Sequence, residues 1–260
     1  MADTAMPWSV STSKPGPAGE TEVFDRSVWR LRSRGCWTEA VSLLTPLPGA
    51  EAALRRSELL AERCLYTGEG WAEAEDALRA AEALAHSDDE RGTAACERGH
   101  LAYLSTSLGI RDRADEASSA LGRAAALLAP GSPHRPLLDY RRGLIAEHLA
   151  HAPQPARAAY RRAHAGATAH GDRFLLARTW YRLAELALRE GEVAEARHGF
   201  TQSLALREAL GDLVGTPPTL AALADTAPEP EAERLRTEAR RLWRLLGGVP
   251  RLLEGRLGVE

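Results

Sequence analysis

The sequence predicts an all-α fold that is built from stacked helical hairpins. Ala, Leu, Arg and Glu, which favour helices, dominate the 260 residues, whereas aromatic residues make up only 5% of them. One stretch, residues 176–212, places apolar residues at a helical spacing on both sides of a glycine. Similar strings recur along the chain. Because a lone helical hairpin cannot bury both of its apolar faces, this recurrence predicts that neighbouring hairpins share one continuous core.

Residues 176–212 contain the clearest hairpin. Its first helix has an apolar face at positions i, i+3, i+4 and i+7, which are Trp180, Leu183, Ala184 and Ala187. Gly191 then breaks the pattern, as expected of a tight turn. The second helix carries a stripe of small and large residues: Ala196, Phe200, Ser203 and Leu204. Gly211 and Asp212 give the signal that ends this helix.

The first helix of this hairpin recurs as a nine-residue string that starts with Leu-Ala. The string reads LAERCLYTG at 60–68, LAYLSTSLG at 101–109, LAELALREG at 183–191 and, more weakly, LAALADTAP at 220–228. The copies start 41, 82 and 37 residues apart, and the middle interval is twice the first. A further copy is therefore expected near residue 142, where Tyr140 takes the place of Trp180. A divergent first copy ends at Gly35.

The second helix recurs in the same phase, with a small residue, a large one four positions later and a small one seven positions later. The copies are Ala40 and Leu44; Ala74, Leu78 and Ala81; Ala117, Leu121 and Ala124; Ala156, Tyr160 and Ala163; and Ala196, Phe200 and Ser203. In a degenerate last copy, Ala232 and Ala239 flank Arg236 at the large position. Residues 229–246 form an amphipathic pattern, which suits a helix that caps the stack.

These residues resemble the tetratricopeptide repeat family. The shared pattern is Gly-x-x-x-Glu-Ala followed by a large and a small residue, as at Gly191, Glu195, Ala196, Phe200 and Ser203. The period of about 40 residues exceeds the roughly 34 of the standard repeat and is similar to a long-period bacterial variant. The resemblance implies a right-handed α-solenoid of five to six hairpins over residues 22–246. It leaves residues 1–21 as a flexible N-terminal tail and residues 247–260 as a C-terminal tail.

Three departures from the repeat pattern predict bent or irregular units. Gly143 stands where the fifth unit has Leu183. Two prolines, Pro153 and Pro155, replace the turn glycine of the fourth unit. Pro217 and Pro218 interrupt the first helix of the last unit, because proline lacks the N–H that a helix interior needs.

Composition narrows the classes of function. A formal net charge of −3 gives no global attraction to nucleic acid or to an anionic membrane. No apolar run approaches the length of about 20 residues that spans a bilayer, and the N-terminus lacks the pattern of a secretory signal. Cys36, Cys64 and Cys96 are far apart without CxxC spacing, which favours reduced thiols. A cytoplasmic protein is expected.

The resemblance implies a concave groove that is lined by the first helix of each unit. Counting from Leu183 predicts a partner-binding groove of these residues: Arg178, Tyr181, Glu185, Arg189, Arg141, His148, Tyr103, Glu62 and Tyr66. Arg and Tyr are common anchors at protein interfaces, and Arg clusters suit carboxylates on a peptide. The alternative is that these residues bind no partner and simply form the solvent-exposed faces of the helices.

Three functions remain open at this point. The first is a non-catalytic adaptor or regulatory module that binds a peptide or protein segment in the groove. The second is a small-molecule sensor or accessory protein of bacterial specialised metabolism, and the third is an enzyme on the same scaffold. An open channel lined by Arg and Tyr would favour the first, and a deep closed pocket with buried polar groups would favour the others. A homodimer through exposed end helices also stays open.

No catalytic, cofactor or metal motif stands out. The sequence lacks GxSxG, GxxxxGK[ST] and a GxGxxG that follows a strand. Glu147, His148 and His151 read EHxxH rather than HExxH, and with His164 they are better explained as ordinary helix residues than as a zinc site. The arginines of 234–256 are interleaved with glutamates, so a solvated helix face is expected there rather than a phosphate-binding patch. No cofactor and no nucleic-acid partner are predicted.

Overall fold

Twelve α-helices follow one another in residues 18–247, the part of the chain that the computed structural model describes. They are α1 (Ala18–Arg32), α2 (Trp37–Leu44), α3 (Ala50–Thr67), α4 (Trp71–Leu84), α5 (Asp88–Ser107), α6 (Ala114–Leu127), α7 (Arg135–His148), α8 (Pro153–His170), α9 (Arg173–Arg189), α10 (Val193–Leu210), α11 (Thr216–Ala224) and α12 (Glu231–Leu245). Consecutive helices pair into six hairpins, and the described residues contain no strand. The all-α solenoid predicted from the sequence is confirmed.

The hairpins stack so that the first helices lie beside one another. Helix α3 packs on α5, and α5 packs on α7, in addition to the contacts within each hairpin. Tight turns separate the paired helices. At Gly191, between α9 and α10, the backbone has φ +83°, a left-handed conformation that glycine adopts without steric cost. The first helices therefore form the inner layer of the solenoid and the second helices the outer layer.

The predicted small–large–small seam is the core between the layers. All its members in the first five hairpins are at most 2% exposed, with Leu44, Leu78, Leu121, Tyr160 and Phe200 as the large residues. In the sixth hairpin, Ala232 and Ala239 are buried as predicted, but Arg236 at the large position pairs with Asp225 and Glu229 at the surface. Trp243, which is 1% exposed, fills the core there instead. The small–large–small pattern missed Trp243 because this residue lies two helical turns after Arg236, beyond the last position of the pattern.

The prediction of irregular helices at the prolines is wrong. Pro153 is the first residue of α8, which runs unbroken to His170. Pro217 and Pro218 lie in the first turn of α11, so they start this helix and do not interrupt it. A proline in the first turn costs little, because its missing N–H would have no partner within the helix and its φ is already helical.

The unexpected glycine at position 143 is explained by its partner across the hairpin. A Cβ atom on Gly143 would lie 2.4 Å from Cε1 of Tyr160, the large residue of α8. In the fourth hairpin, the missing side chain at position 143 of α7 thus leaves room for the ring of Tyr160 from α8.

The first hairpin of the array contacts the fifth. The indole of Trp29 in α1 contacts Phe174 in α9 edge-on, with 5.2 Å between ring centroids. The N–H of Val214, after α10, donates to the carbonyl oxygen of Ser33 at 3.1 Å. Val214 also packs into the apolar cluster of the first hairpin, against Val28 and its neighbours. The first hairpin therefore closes over the inner face of the solenoid.

The boundaries of the predicted domain are only partly visible. Helix α1 begins at Ala18, within the stretch 1–21 that the sequence assigns to a tail, and α12 ends at Leu245. The rest of the two predicted tails, residues 1–17 and 248–260, lies outside the described residues. Within residues 18–247, none of the helices combines the length and the apolar character that crossing a membrane requires.

Candidate functional site

The inner face of the closed solenoid contains a cavity of about 520 Å³. One stripe of α3 lines it, with a spacing of three and four residues that keeps the side chains on one helix face. This stripe is Glu51, Leu54, Arg55, Glu58 and Glu62. The other walls come from α1, α5, α7, α9 and the segments before them, with Arg32, His100, His134, Arg141, Phe174 and Arg178 among their side chains. Five of the six first helices thus converge on one cavity.

The cavity runs from an exposed mouth to a buried floor. Glu51 and Ser87 at the mouth are exposed to solvent. On the floor, Arg32, Arg141 and His100 are only 5–6% exposed. A ligand that enters at the mouth would therefore meet charged groups that are shielded from water, where electrostatic contacts are stronger.

Three of the four arginines in the lining already have carboxylate partners: Arg32 with Glu62, Arg55 with Asp25, and Arg141 with Glu97. The pair of Arg141 and Glu97 is the most buried of these, with Glu97 at 1% exposure. Burial alone would raise the pKa of Glu97, but Arg141 and His100 outweigh it and lower that pKa to about 2. These arginines hold the walls of the cavity together.

The remaining arginine, Arg178, has aromatic neighbours instead of a carboxylate. Its Cζ lies 4.7 Å from the ring centroid of Tyr140 and 5.5 Å from that of Phe174. No carboxylate in residues 18–247 lies within ion-pair distance of Arg178. Two rings against one guanidinium restrict its orientation. One hydrogen bond joins Arg178 to the side chain of Tyr140, and its other N–H groups are left for another partner.

Glu58 is the matching unpaired anion on α3. In the described part of the chain it has neither an ion pair nor a hydrogen bond. Burial, and next the nearby carboxylate of Glu97, raise the pKa of Glu58 from 4.5 to about 7. Arg141 and Arg32 only partly offset these effects. The cavity therefore presents one uncompensated carboxyl group and one uncompensated guanidinium.

The histidines in the lining do not add positive charge at neutral pH. Burial, followed by the charge of Arg141, lowers the pKa of His100 to about 4. Burial also lowers the pKa of His134, although Asp89 lies 3.4 Å from its Nε2 atom. Both rings are neutral near pH 7, so they can serve as hydrogen-bonding groups in the wall.

Beyond the cavity, a polar network lies on the inner face at the other ends of α5, α7 and α9. Its centre is Glu147, which is 4% exposed and accepts hydrogen bonds from Tyr160 and Arg189. Burial would raise the pKa of Glu147, but nearby Arg182 and His148 outweigh this effect and lower it. This network occupies space that an open groove would leave free.

The nine residues predicted for the groove fall into several places. Three of them, Glu62, Arg141 and Arg178, line the cavity. Four lie at or beside the polar network: Tyr103, His148, Glu185 and Arg189. The other two pack in the core, with Tyr66 stacked on Trp37 at 5.3 Å and Tyr181 against Phe200 at 5.5 Å. A role in binding stays a prediction for all nine.

Counting repeat positions missed several lining residues. Arg32 belongs to the divergent first unit, where the repeat pattern is weakest, and Phe174 lies at the start of α9, before the counted positions. His134 precedes α7 in a loop. The charge and aromatic character of these residues were visible in the sequence, but their convergence follows from closure of the solenoid.

Other chemically active residues have structural contacts. Cys64 and Cys96 are buried, and burial raises the pKa of both thiols. His164 lies 3.0 Å from the hydroxyl of Thr179 and edge-on to Trp180. Within residues 18–247, no group of three or more His, Cys, Asp or Glu side chains is arranged to hold a metal ion.

These features define an all-α helical-repeat solenoid, a fold similar to that of tetratricopeptide-like repeats. Among solved structures, the chain is similar to BtubC (BKLC) from P. vanneervenii, with 16% identity, a TM-score of 0.55, and coverage of 90% of this chain and 94% of that one. It also matches a putative kinesin light chain from Podosopora anserina with nearly identical TPR-like repeats. That match has 16% identity, a TM-score of 0.39, and coverage of 90% of this chain and 96% of the other.

At 16% identity, the similarity to BtubC shows the fold alone. A scan against protein-family models and a search of curated protein sequences gave no match. The function of the chain must therefore be argued from its own residues.

Proposed function

We propose that this chain is a non-catalytic binding protein that holds a peptide or protein segment in the cavity on the inner face of its solenoid. The observation that carries the proposal is Arg178, a guanidinium that lines the cavity, lies against two aromatic rings and has no carboxylate partner in residues 18–247. Arginine and aromatic residues together are typical anchors of binding sites. Concave surfaces of helical repeats commonly serve such recognition.

A bound small molecule is the second candidate, and one observation favours it. The contacts of Trp29 and Val214 close the first hairpin over the inner face, so the site is a cavity and not a continuous groove. Its volume of about 520 Å³ lies within the range of roughly 300–1,000 Å³ that is usual for small-molecule sites. Only a short stretch of peptide would fit in the same space.

The cellular setting is part of the proposal. Free thiols at Cys36, Cys64 and Cys96 suit a reducing compartment such as the bacterial cytoplasm. The binding domain is taken as residues 22–246, which includes every residue that lines the cavity. As an adaptor or regulatory module, it would act through the molecule that it binds.

A peptide selection tests the first candidate. A random library displayed on phage is selected on the wild-type protein, and recovered peptides are measured by fluorescence polarisation against three proteins: wild type, Arg178→Gln and Arg79→Gln. Arg79 is the control because it lies exposed on the outer helix α4, where it pairs with Asp76. We expect binding to wild type and Arg79→Gln alike, and at least about tenfold weaker binding to Arg178→Gln, a loss of about 1.4 kcal/mol.

The choice of variant follows from the structure. Changing Tyr181 or Arg189 would remove a core contact with Phe200 or a partner of buried Glu147, so loss of binding would be confounded with damage to the fold. If no selected peptide depends on Arg178, the peptide proposal fails. Native mass spectrometry that finds a co-purified small molecule would then support the second candidate.

A further inference from the structure

Among the described residues, two charged side chains that line the cavity have no ion-pair partner, cap no helix and do not lie at the exposed mouth. Every other charged side chain in its lining has a partner described above, caps a helix, or lies at the exposed mouth. The capping groups are Asp172, which accepts from the N–H of Leu175, and Glu90, which accepts from the N–H of Ser87. The two exceptions are Glu58 on α3 and Arg178 on α9. Burying an uncompensated charge costs free energy, so each of these groups would gain from a ligand of opposite charge.

The surroundings of Glu58 favour a cation. Glu97 and Glu62 lie near it, and the guanidiniums of Arg141 and Arg32 are already engaged by these two carboxylates. Three carboxyl groups thus face two arginines at the floor of the cavity. An ammonium or guanidinium group of a ligand would complete the balance.

The surroundings of Arg178 favour an anion. Its contacts with Tyr140 and Phe174 use the planar face of the guanidinium, and one further hydrogen bond joins it to the side chain of Tyr140. The remaining N–H donors lie at the guanidinium edge. A carboxylate or phosphate group can accept two such hydrogen bonds in parallel. Glu62 is close enough to feel the charge of Arg178, but its ion pair is with Arg32.

We propose that the cavity binds a dipolar ligand, with its cationic ammonium or guanidinium group at Glu58 and its anionic carboxylate or phosphate group at Arg178. This inference rests on the proposed function, because it assigns the chemistry of the same site. Two sources share the chemistry: a small zwitterionic metabolite, and a short peptide with both ends free. The wild-type cavity discriminates against molecules that carry only one of the two charges.

The raised pKa of Glu58 gives the binding of the cation a pH dependence. Below about pH 7 the carboxyl group takes up a proton and loses its attraction for a cation. The groups that face it are Glu97, Glu62, Arg141 and Arg32. Against the opposing effect of burial, ion pairs lower the pKa of Glu97 and of Glu62 and raise the pKa of Arg141, so these three groups keep their charge from pH 6 to pH 8. Affinity for an amine-bearing ligand therefore decreases as the pH falls through this range.

Two series of defined probes test the inference by isothermal titration calorimetry. The small-molecule series is β-alanine, γ-aminobutyrate and ε-aminocaproate, in which the distance between the charges increases. The peptide series is diglycine, triglycine and tetraglycine. Each probe is compared with its N-acetylated form, which lacks the cation, and with its C-terminal amide, which lacks the anion. The proteins are wild type, Glu58→Gln, Arg178→Gln and, as a control, Glu208→Gln, an exposed carboxylate on α10.

We expect at least one free probe to bind wild type and Glu208→Gln, and to bind at least tenfold more tightly than either blocked form. Glu58→Gln should lose the preference for the free amine but keep that for the free carboxylate, and Arg178→Gln should do the reverse. The series that binds more tightly identifies the source of the ligand.

The inference is overturned if blocked probes bind as tightly as free ones, or if Glu58→Gln keeps the preference for the free amine. It is also overturned if no probe binds while peptides from the library bind in a manner that depends on Arg178. In that case the proposed function stands and only the charge assignment fails. If neither probes nor library peptides bind, both fail.

Discussion

The indole Nε1 of Trp29 donates a hydrogen bond to the main-chain oxygen of Leu210 at 2.9 Å, across 181 residues of sequence. Both partners are buried. The bond joins the first hairpin to the end of the fifth, so the inner face becomes a cavity. The effect of this bond on the stability of the closed arrangement can be measured.

Replacement of Trp29 by Phe should loosen this closure. The variant keeps an aromatic ring against Phe174 but leaves the carbonyl oxygen of Leu210 without its partner, which costs about 1–3 kcal/mol. Hydrogen exchange provides the measurement, because the amide of Val214 is protected by its bond to Ser33. Trp71→Phe is the control, since its indole bonds within its own turn, to Gly68. Equal protection of Val214 in both variants would count against a closing role for Trp29.

Two glycines inside helices should respond to alanine with opposite signs. Gly143→Ala places a Cβ 2.4 Å from the ring of Tyr160 and should destabilise the protein by about 1–3 kcal/mol. Gly122→Ala, on the exposed side of α6, meets no atom within 4 Å and should stabilise by about 0.5–1 kcal/mol. Urea denaturation of both variants gives the comparison. A stabilised Gly143→Ala protein would show that the close packing against Tyr160 is not required.

Glu58 should make stability decrease as the pH rises. Its pKa is about 7 in the folded chain and 4.5 in ordinary surroundings, so the folded state holds its proton more tightly. The stabilisation is complete below about pH 4.5 and is lost as the pH rises through about 7. Glu58→Gln removes this dependence and should therefore be more stable than wild type at pH 8 but not at pH 5. Chemical denaturation at both pH values measures the difference, and a gap that does not change with pH would contradict the assignment.

The buried pair of Arg141 and Glu97 should tolerate joint replacement better than single replacement. Arg141→Met leaves Glu97, at 1% exposure, without its main counter-charge and should cost about 3–5 kcal/mol. Adding Glu97→Leu removes the stranded carboxylate and should recover much of that loss. Thermal and urea denaturation of the single and double variants test this coupling. A double variant as unstable as the single one would mean that the pair matters for packing rather than charge.

Local pattern was sufficient to predict the hairpins and the seam between their layers. Residues such as Ala156 and Phe200 repeat at a helical spacing, and burial of that stripe depends only on the neighbouring helix. The prolines at 153 and 217–218 were misinterpreted because proline both breaks helices and starts them. Only the position of the helix start distinguishes these two cases, and a short pattern defines such boundaries poorly.

The candidate site was predicted less completely, for a different physical reason. Counting positions assumes an open array in which every unit presents the same face. The contact of Trp29 with Leu210 depends on the summed rotation of five hairpins, which no local segment encodes. It brings Arg32 and Phe174 to the cavity. Beyond the cavity, Glu147 and its partners lie on the inner face, so that Arg189 contacts the protein itself.

Closure also fixes how many hairpins can lie between the first and the fifth. An open solenoid can gain or lose a unit at its end while disturbing a single neighbouring interface. In this chain, an extra hairpin between α2 and α9 would carry Leu210 and Val214 away from Trp29 and Ser33 by the width of one unit. The cavity would then lose a wall. Duplication or deletion of a hairpin, a common way for repeat proteins to diversify, would destroy the site that the present number of hairpins creates.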